Sequence, residues 1–202
     1  MFDSRLRPLI DPPLNRVGRI LAARGVTADQ VTLAGLGLGL SAAVLLALGG
    51  PGWLALLPIL AGRLADGLDG AIARATGKTD FGGYLDIACD FVFYGAIPLA
   101  FAIRDPANAV PAAFLLFSFY VNAASFLGFA ALAARRGMET RAQGEKSLYY
   151  AAGLLEGAET IALFVAFCLW PWHFAPLAWA FGALCLVTAT ARILWARGVL
   201  RD

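Results

Sequence analysis

Charge is what this sequence has least of. Only 15% of its 202 residues are Asp, Glu, Lys or Arg, while 60% are hydrophobic. Soluble globular chains carry about 25% charged and about 45–50% apolar residues. The deficit excludes an ordinary soluble domain and points to an integral membrane protein, with length for one domain of about six helical spans. A net charge of +2 is too small to attract nucleic acid, so no such partner is expected. Histidine is nearly absent: the single His173 and the three cysteines Cys89, Cys168 and Cys185 form neither a zinc pattern nor a paired disulfide framework. The cysteines sit in apolar stretches and read as small packing residues. Repeats, low-complexity segments and long linkers are missing too, which leaves a single domain over residues 1–202. No cleavable signal peptide is expected, because Arg5, Arg7 and Asp11 interrupt the start and no long apolar run begins before Val31.

What is present is an all-α plan. Residues 1–30 are not a span. Asp11-Pro12-Pro13 resembles a helix start, and Leu14, Val17 and Leu21 then recur at helical spacing among Arg16, Arg19 and Arg24. A basic amphipathic helix on the membrane surface fits this pattern, and a packing arm on the protein itself is the alternative. Thr27-Ala-Asp-Gln30 is a capping box that opens the first span, near 31–49. Gly35, Gly37 and Gly39 in that span suggest close helix approach, since a phosphate-binding glycine loop needs a preceding strand. Further spans are expected near 53–73, 82–103, 109–134, 147–170 and 177–196, so that residues 31–196 hold six. Glycine, proline and polar turns punctuate them, with interfacial Trp170 and Trp172 before the last. Five arginines precede the first span. Arg74 and Lys78 flank the second turn, Arg135, Arg136, Arg141 and Lys146 fill the fourth, and Arg197 and Arg201 follow the last span. The opposite side has only Arg104. By the positive-inside rule both termini and the Asp-rich turn lie at the cytoplasmic face.

Against this poverty of charge, residues 66–90 are dense in acid. Asp66, Asp69, Gly70, Ala73 and Arg74 share one helical face, and Gly82, Asp86 and Asp90 share another. A tight turn joins the two helices, so the acids are expected to converge. Four neighbouring carboxylates cannot all be ionised unless positive charge joins them. Oxygen ligands alone suit hard cations, Mg²⁺ or Mn²⁺, which commonly share their remaining positions with water and substrate phosphates. Two such cations polarise a diphosphate from both sides. Gly70, Ala73 and Gly82 remove bulk where a flat ligand would lie, and Arg74 adds a fixed cation for phosphate.

The stretch resembles the signature of the CDP-alcohol phosphotransferase (CDP-alcohol phosphatidyltransferase) family: Asp-x₂-Asp-Gly-x₂-Ala-Arg, a spacer, then Gly-x₃-Asp-x₃-Asp. Asp66, Asp69, Gly70, Ala73, Arg74, Gly82, Asp86 and Asp90 fill every position. The spacer, Ala75 to Phe81, is one residue shorter than the family's usual one, and the shortening falls in the turn. The resemblance implies a transferase of phospholipid synthesis. It would move a substituted phosphate from a CDP-linked lipid, usually CDP-diacylglycerol, to a small polar or lipid alcohol, releasing CMP. It implies two divalent cations held by Asp66, Asp69, Asp86 and Asp90. Asp90 would be the general base, and Gly70, Ala73, Arg74 and Gly82 would line the CDP site. It also implies an inner (plasma) membrane location with the site at the cytoplasmic face, membrane lipids as surroundings, and a homodimer.

Two other readings compete. An intramembrane prenyltransferase also sets acids and Mg²⁺ on a diphosphate, but its acidic motifs lie on separate repeats of a longer chain. An ion or proton transporter using the acids as a relay would need an inverted repeat or broken helices, and neither is visible. Several polar residues stay open. Arg63 pairs with Asp66 or meets a substrate phosphate. Glu156 and Glu159 pair with Asn122, Ser125 or Arg192, or line an acceptor pocket. The basic loop with Arg135, Arg136, Arg141 and Lys146 tilts the acceptor toward a phosphorylated alcohol such as glycerol 3-phosphate. His173 lies on the far side from the acids and reads as interfacial.

Overall fold

The computed structural model describes residues 3–137 and 157–200, with side chains from Ile10 onward. Every regular element among them is helical: α1 (Asp3–Ala23), α2 (Ala28–Ala47), α3 (Gly52–Thr76), α4 (Asp80–Arg104), α5 (Ala109–Arg135), α6 (Gly157–Leu169) and α7 (Phe174–Val199). Single 3₁₀ turns, Pro106–Asn108 and Pro171–His173, lead into α5 and α7. Among the described residues, four segments are long and apolar enough to cross a membrane: Ala28–Ala47, Asp80–Arg104, Pro106–Arg135 and Pro171–Val199.

Helix ends fall where the sequence supplies caps. The Thr27 hydroxyl accepts from the Gln30 amide, and the Gln30 side chain accepts from the Thr27 amide, so the expected capping box forms. Gly77, at φ 103°, ends α3 in a conformation that other residues resist. Thr79 then caps α4 by accepting from the Gly82 amide. The start of α1 differs from expectation. It begins at Asp3 and runs through Asp11-Pro12-Pro13. Proline has a helix-compatible φ, so here the two rings remove hydrogen bonds without ending the helix.

The buried stripe of α2 is Thr32, Gly35, Gly39, Ala42, Ala43 and Leu46. It packs along both α3 and α4, which have little direct backbone contact with each other. The short turn between α3 and α4 joins them without extensive packing of one on the other, because α2 takes the place between them. Glycine permits this. A Cβ on Gly35 would stand 3.3 Å from the Gly62 carbonyl oxygen of α3, and one on Gly39 only 2.5 Å from the Phe93 ring of α4. Gly37 meets nothing within 4 Å, so it takes no part in the close approach. Helices in lipid associate largely through such packing.

Phe93, Phe101, Phe164, Phe167 and Phe174 are fully buried, and Phe101 stacks on Phe174 with centroids 4.6 Å apart. Arg104 donates to the Gly50 carbonyl at 2.7 Å and ties the end of α4 to the α2–α3 turn. On the other side α1 lies against α3. A Cβ on Gly18 would touch Ala71, and one on Gly67 would touch Leu14. The packing-arm alternative thus describes the inner face of α1, while Ile10, Val17 and Ile20 remain exposed on its outer face.

Candidate active site

The acids lie well inside the helices. Asp66 is ten residues before the end of α3 and Asp90 ten residues after the start of α4, about 15 Å from the turn at 1.5 Å per residue. The recess between the two helices has α2 as its floor. Thr32, Gly35 and Leu36 line it from below, and Gly62, Arg63, Asp66, Asp69, Asp86, Cys89 and Asp90 line its sides.

Asp66, Asp86 and Asp90 each offer a carboxylate oxygen, and these lie within 4.8 Å of one another. Like charges at such separations repel by about 4 kcal/mol per pair at an effective dielectric of 20. Among the described residues a cation, Arg63, stands beside them. Arg63 Nη1 donates to Asp90 Oδ1 at 2.8 Å and lies 3.5 Å from Asp66 Oδ1. One guanidinium carries a single positive charge against three carboxylates. The donors of this group are all hard oxygens at bridging separations, and this fits Mg²⁺ or Mn²⁺.

Asp69 stands apart from the three. It is 6% exposed and accepts from the Thr32 hydroxyl across the α2–α3 contact. It still lines the same recess, and the hydroxyl occupies Oδ2 only. Toward the end of α3, Arg74 donates from Nε and Nη2 to Asn15 Oδ1 of α1, at 3.1 and 2.9 Å. Its Nη1 lies 3.3 Å from where a Cβ on Gly70 would be. Gly70 thus leaves room for the arginine to lie across it, and Ala73 is half-buried one turn on. A Cβ on Gly82 would stand 2.9 Å from the Thr79 hydroxyl and 3.2 Å from the Asp29 carboxylate of α2. The missing side chain therefore clears space between the α4 cap and the start of α2.

Sequence reasoning left Thr32, Asn15 and Asp29 unremarked. Thr32 had one faint signal, a hydroxyl in an otherwise apolar span, but its bond to the Ala28 carbonyl at 3.1 Å is the ordinary fate of such a residue. Asn122 and Ser125 of α5 and Arg192 of α7, grouped above as partners for Glu156 and Glu159, meet each other. Arg192 Nη1 donates to Asn122 Oδ1 at 2.9 Å and to Ser125 Oγ at 2.7 Å. Glu156 lies outside the described residues, as do Arg141 and Lys146.

The chain is similar to known proteins. The family model for CDP-alcohol phosphatidyltransferase matches residues 25–195. The chain is 47% identical over 196 residues to the inner membrane protein YnjF of Escherichia coli K12, covering 96% of this chain and 94% of that one. It is 42% identical over 88 residues to the archaetidylinositol phosphate synthase of Pyrococcus horikoshii, covering 43% of this chain and 46% of that one. Its fold is similar to the crystal structure of Mycobacterium tuberculosis phosphatidylinositol phosphate synthase with CDP-DAG bound. The TM-score is 0.61 at 22% identity, over 92% of this chain and 90% of the other. The chain belongs to the CDP-alcohol phosphatidyltransferase family.

Proposed function

We propose that the chain transfers a phosphatidyl group from CDP-diacylglycerol, or a similar CDP-linked lipid, to an alcohol with release of CMP, in phospholipid synthesis. The observation that carries this reading is the meeting of Asp66, Asp86 and Asp90 within 4.8 Å in a chain of this family. Asp66, Asp86 and Asp90, with Asp69, would hold two divalent cations. When bound, these cations neutralise the diphosphate and the charge that develops on the leaving CMP. Arg74, fixed by Asn15, presents its guanidinium to a phosphate over the bare backbone of Gly70, and Ala73 and Gly82 leave room for the nucleotide. Asp90 accepts the proton of the incoming hydroxyl. The alcohol oxygen bonds to the lipid-bearing phosphorus as the bond from that phosphorus to the bridging oxygen breaks, and CMP leaves with the electron pair.

The acceptor in this reading is a phosphorylated alcohol, supported by the basic run of the sequence at Arg135, Arg136, Arg141 and Lys146. The membrane is the inner one, as for the Escherichia coli relative named above. Joined to the four apolar segments, α3 and α6 complete six spans. At 25 residues α3 is about 37 Å long, enough to cross. The outer face of α1, with Ile10, Val17, Ile20, Arg16 and Arg19 exposed, rests on the bilayer surface. Both termini are cytoplasmic by the arginine distribution, and family resemblance supports a homodimer. The test is CMP release by purified protein given Mg²⁺ or Mn²⁺, CDP-diacylglycerol and a panel of alcohols. Release that depends on one phosphorylated alcohol is expected. No CMP with any alcohol contradicts the enzyme reading, and release with unphosphorylated alcohols alone contradicts the acceptor class.

A further inference from the structure

Arg63 is the charged residue of α3 to which the mechanism gives no task. Its Nη1 is bonded to Asp90 Oδ1 and close to Asp66 Oδ1. Those carboxylates belong to the group that also includes Asp86. Its carbon Cζ stands 4.6 Å from the centroid of the fully buried Phe93 ring, which favours a cation beside it. Its Nε is buried and has no acceptor among the described residues. The guanidinium is therefore held by charge more than by a complete set of hydrogen bonds, since one of its donors is unmet where it sits.

We propose that Arg63 is a tethered counter-cation: it occupies Asp66 and Asp90 when no divalent cation is bound and yields their oxygens when one binds. The inference rests on the metal-holding role proposed above for these acids. Two features carry it. A guanidinium hydrogen and a divalent cation compete for the same carboxylate oxygens, and they repel each other at the separations the group allows. Binding therefore proceeds against Arg63, and the carboxylate taken from it includes the one assigned as base. In the bonded position Arg63 caps Oδ1 of Asp90. Arg63 is thus a positioning residue, acting through Asp66 and Asp90.

The test is Mn²⁺ binding to the full chain in detergent micelles, read by loss of the free-ion paramagnetic resonance signal, with thermal unfolding of the same samples. Arg63→Met and Arg63→Gln remove the competing charge. They are expected to bind Mn²⁺ about tenfold more tightly than wild type, to unfold at lower temperature without cation, and to recover with it. Arg63→Lys keeps the charge and is expected to stay within threefold of wild type. If wild type binds Mn²⁺ and both neutral variants bind less than threefold more tightly, or are as stable as wild type without cation, the counter-cation role is wrong while the metal role of the acids stands. If neither wild type nor any variant binds Mn²⁺, both fail together.

Discussion

Thr32→Val tests how α2 sets the site. Thr32 and Asp69 are 8% and 6% exposed, so water cannot replace a lost donor. The hydroxyl lies near both the Ala28 carbonyl and Asp69 Oδ2, with the carboxylate contact the shorter. It has one proton, which goes to the carboxylate, because charge-assisted bonds are the stronger kind. Valine matches the shape of threonine closely and removes only that donor. Hydrogen bonds to charged groups contribute about 1.5–3 kcal/mol, so the variant is expected to lose about that much stability. At about 1.4 kcal/mol per decade this is roughly a tenfold to hundredfold loss in the folding equilibrium. Equilibrium unfolding in mixed micelles without divalent cation measures it, and Thr32→Ser should recover most of the loss. A Thr32→Val variant within about 0.5 kcal/mol of wild type would show that Asp69 is held by something other than this hydroxyl, and α2 would lose its role in the site.

Other substitutions probe neighbouring parts. Asp90→Asn is expected to lower kcat by about 10²–10⁴ while CDP-lipid still binds, seen by equilibrium binding beside turnover. Gly39→Ala places a Cβ 2.5 Å from the immobile Phe93 ring and should cost about 1–3 kcal/mol. Gly37→Ala, with open space around it, should be neutral or slightly stabilising in the same unfolding assay. Gly82→Ala crowds Thr79 and Asp29 and should raise the KM for the CDP-lipid several-fold, with a stability loss near the ~1 kcal/mol worth of an N-cap. Chelation with EDTA should abolish CMP release and added Mg²⁺ or Mn²⁺ should restore it, since the acids alone repel the diphosphate.

The helices were legible because their boundaries are local. Gly49 to Gly52, Gly77 to Thr79, Asp105-Pro106 and Trp170-Pro171 are turn chemistry between apolar runs, and the capping box at Thr27 needs only four residues. The meeting of Asp66, Asp86 and Asp90 was legible in that helical spacing puts the acids of each helix on one face, although α2 supplies the packing that brings the two helices together. Contacts between distant residues were not. Thr32 meets Asp69 across 37 positions and Arg74 meets Asn15 across 59, and no periodicity encodes either. The place of α2 between α3 and α4 follows from which glycines face inward, and the pattern Gly35, Gly37, Gly39 does not distinguish them. The α1 start was misplaced because a proline pair resembles a beginning and was in fact tolerated within the helix. Asp66 and Asp90 sit about 15 Å from the turn, and Asp69 and Asp86 about 10 Å, at 1.5 Å per residue.

The central claim is transfer of the lipid-bearing phosphorus. CDP-diacylglycerol labelled at that phosphorus, incubated with the protein, Mg²⁺ and the alcohol that supports CMP release, measures it directly. The account predicts that all label consumed appears in a new lipid, one equivalent of unlabelled CMP forms per lipid, and Asp90→Asn stops both. Label recovered in water-soluble products, or transfer unaffected by Asp90→Asn, would contradict it.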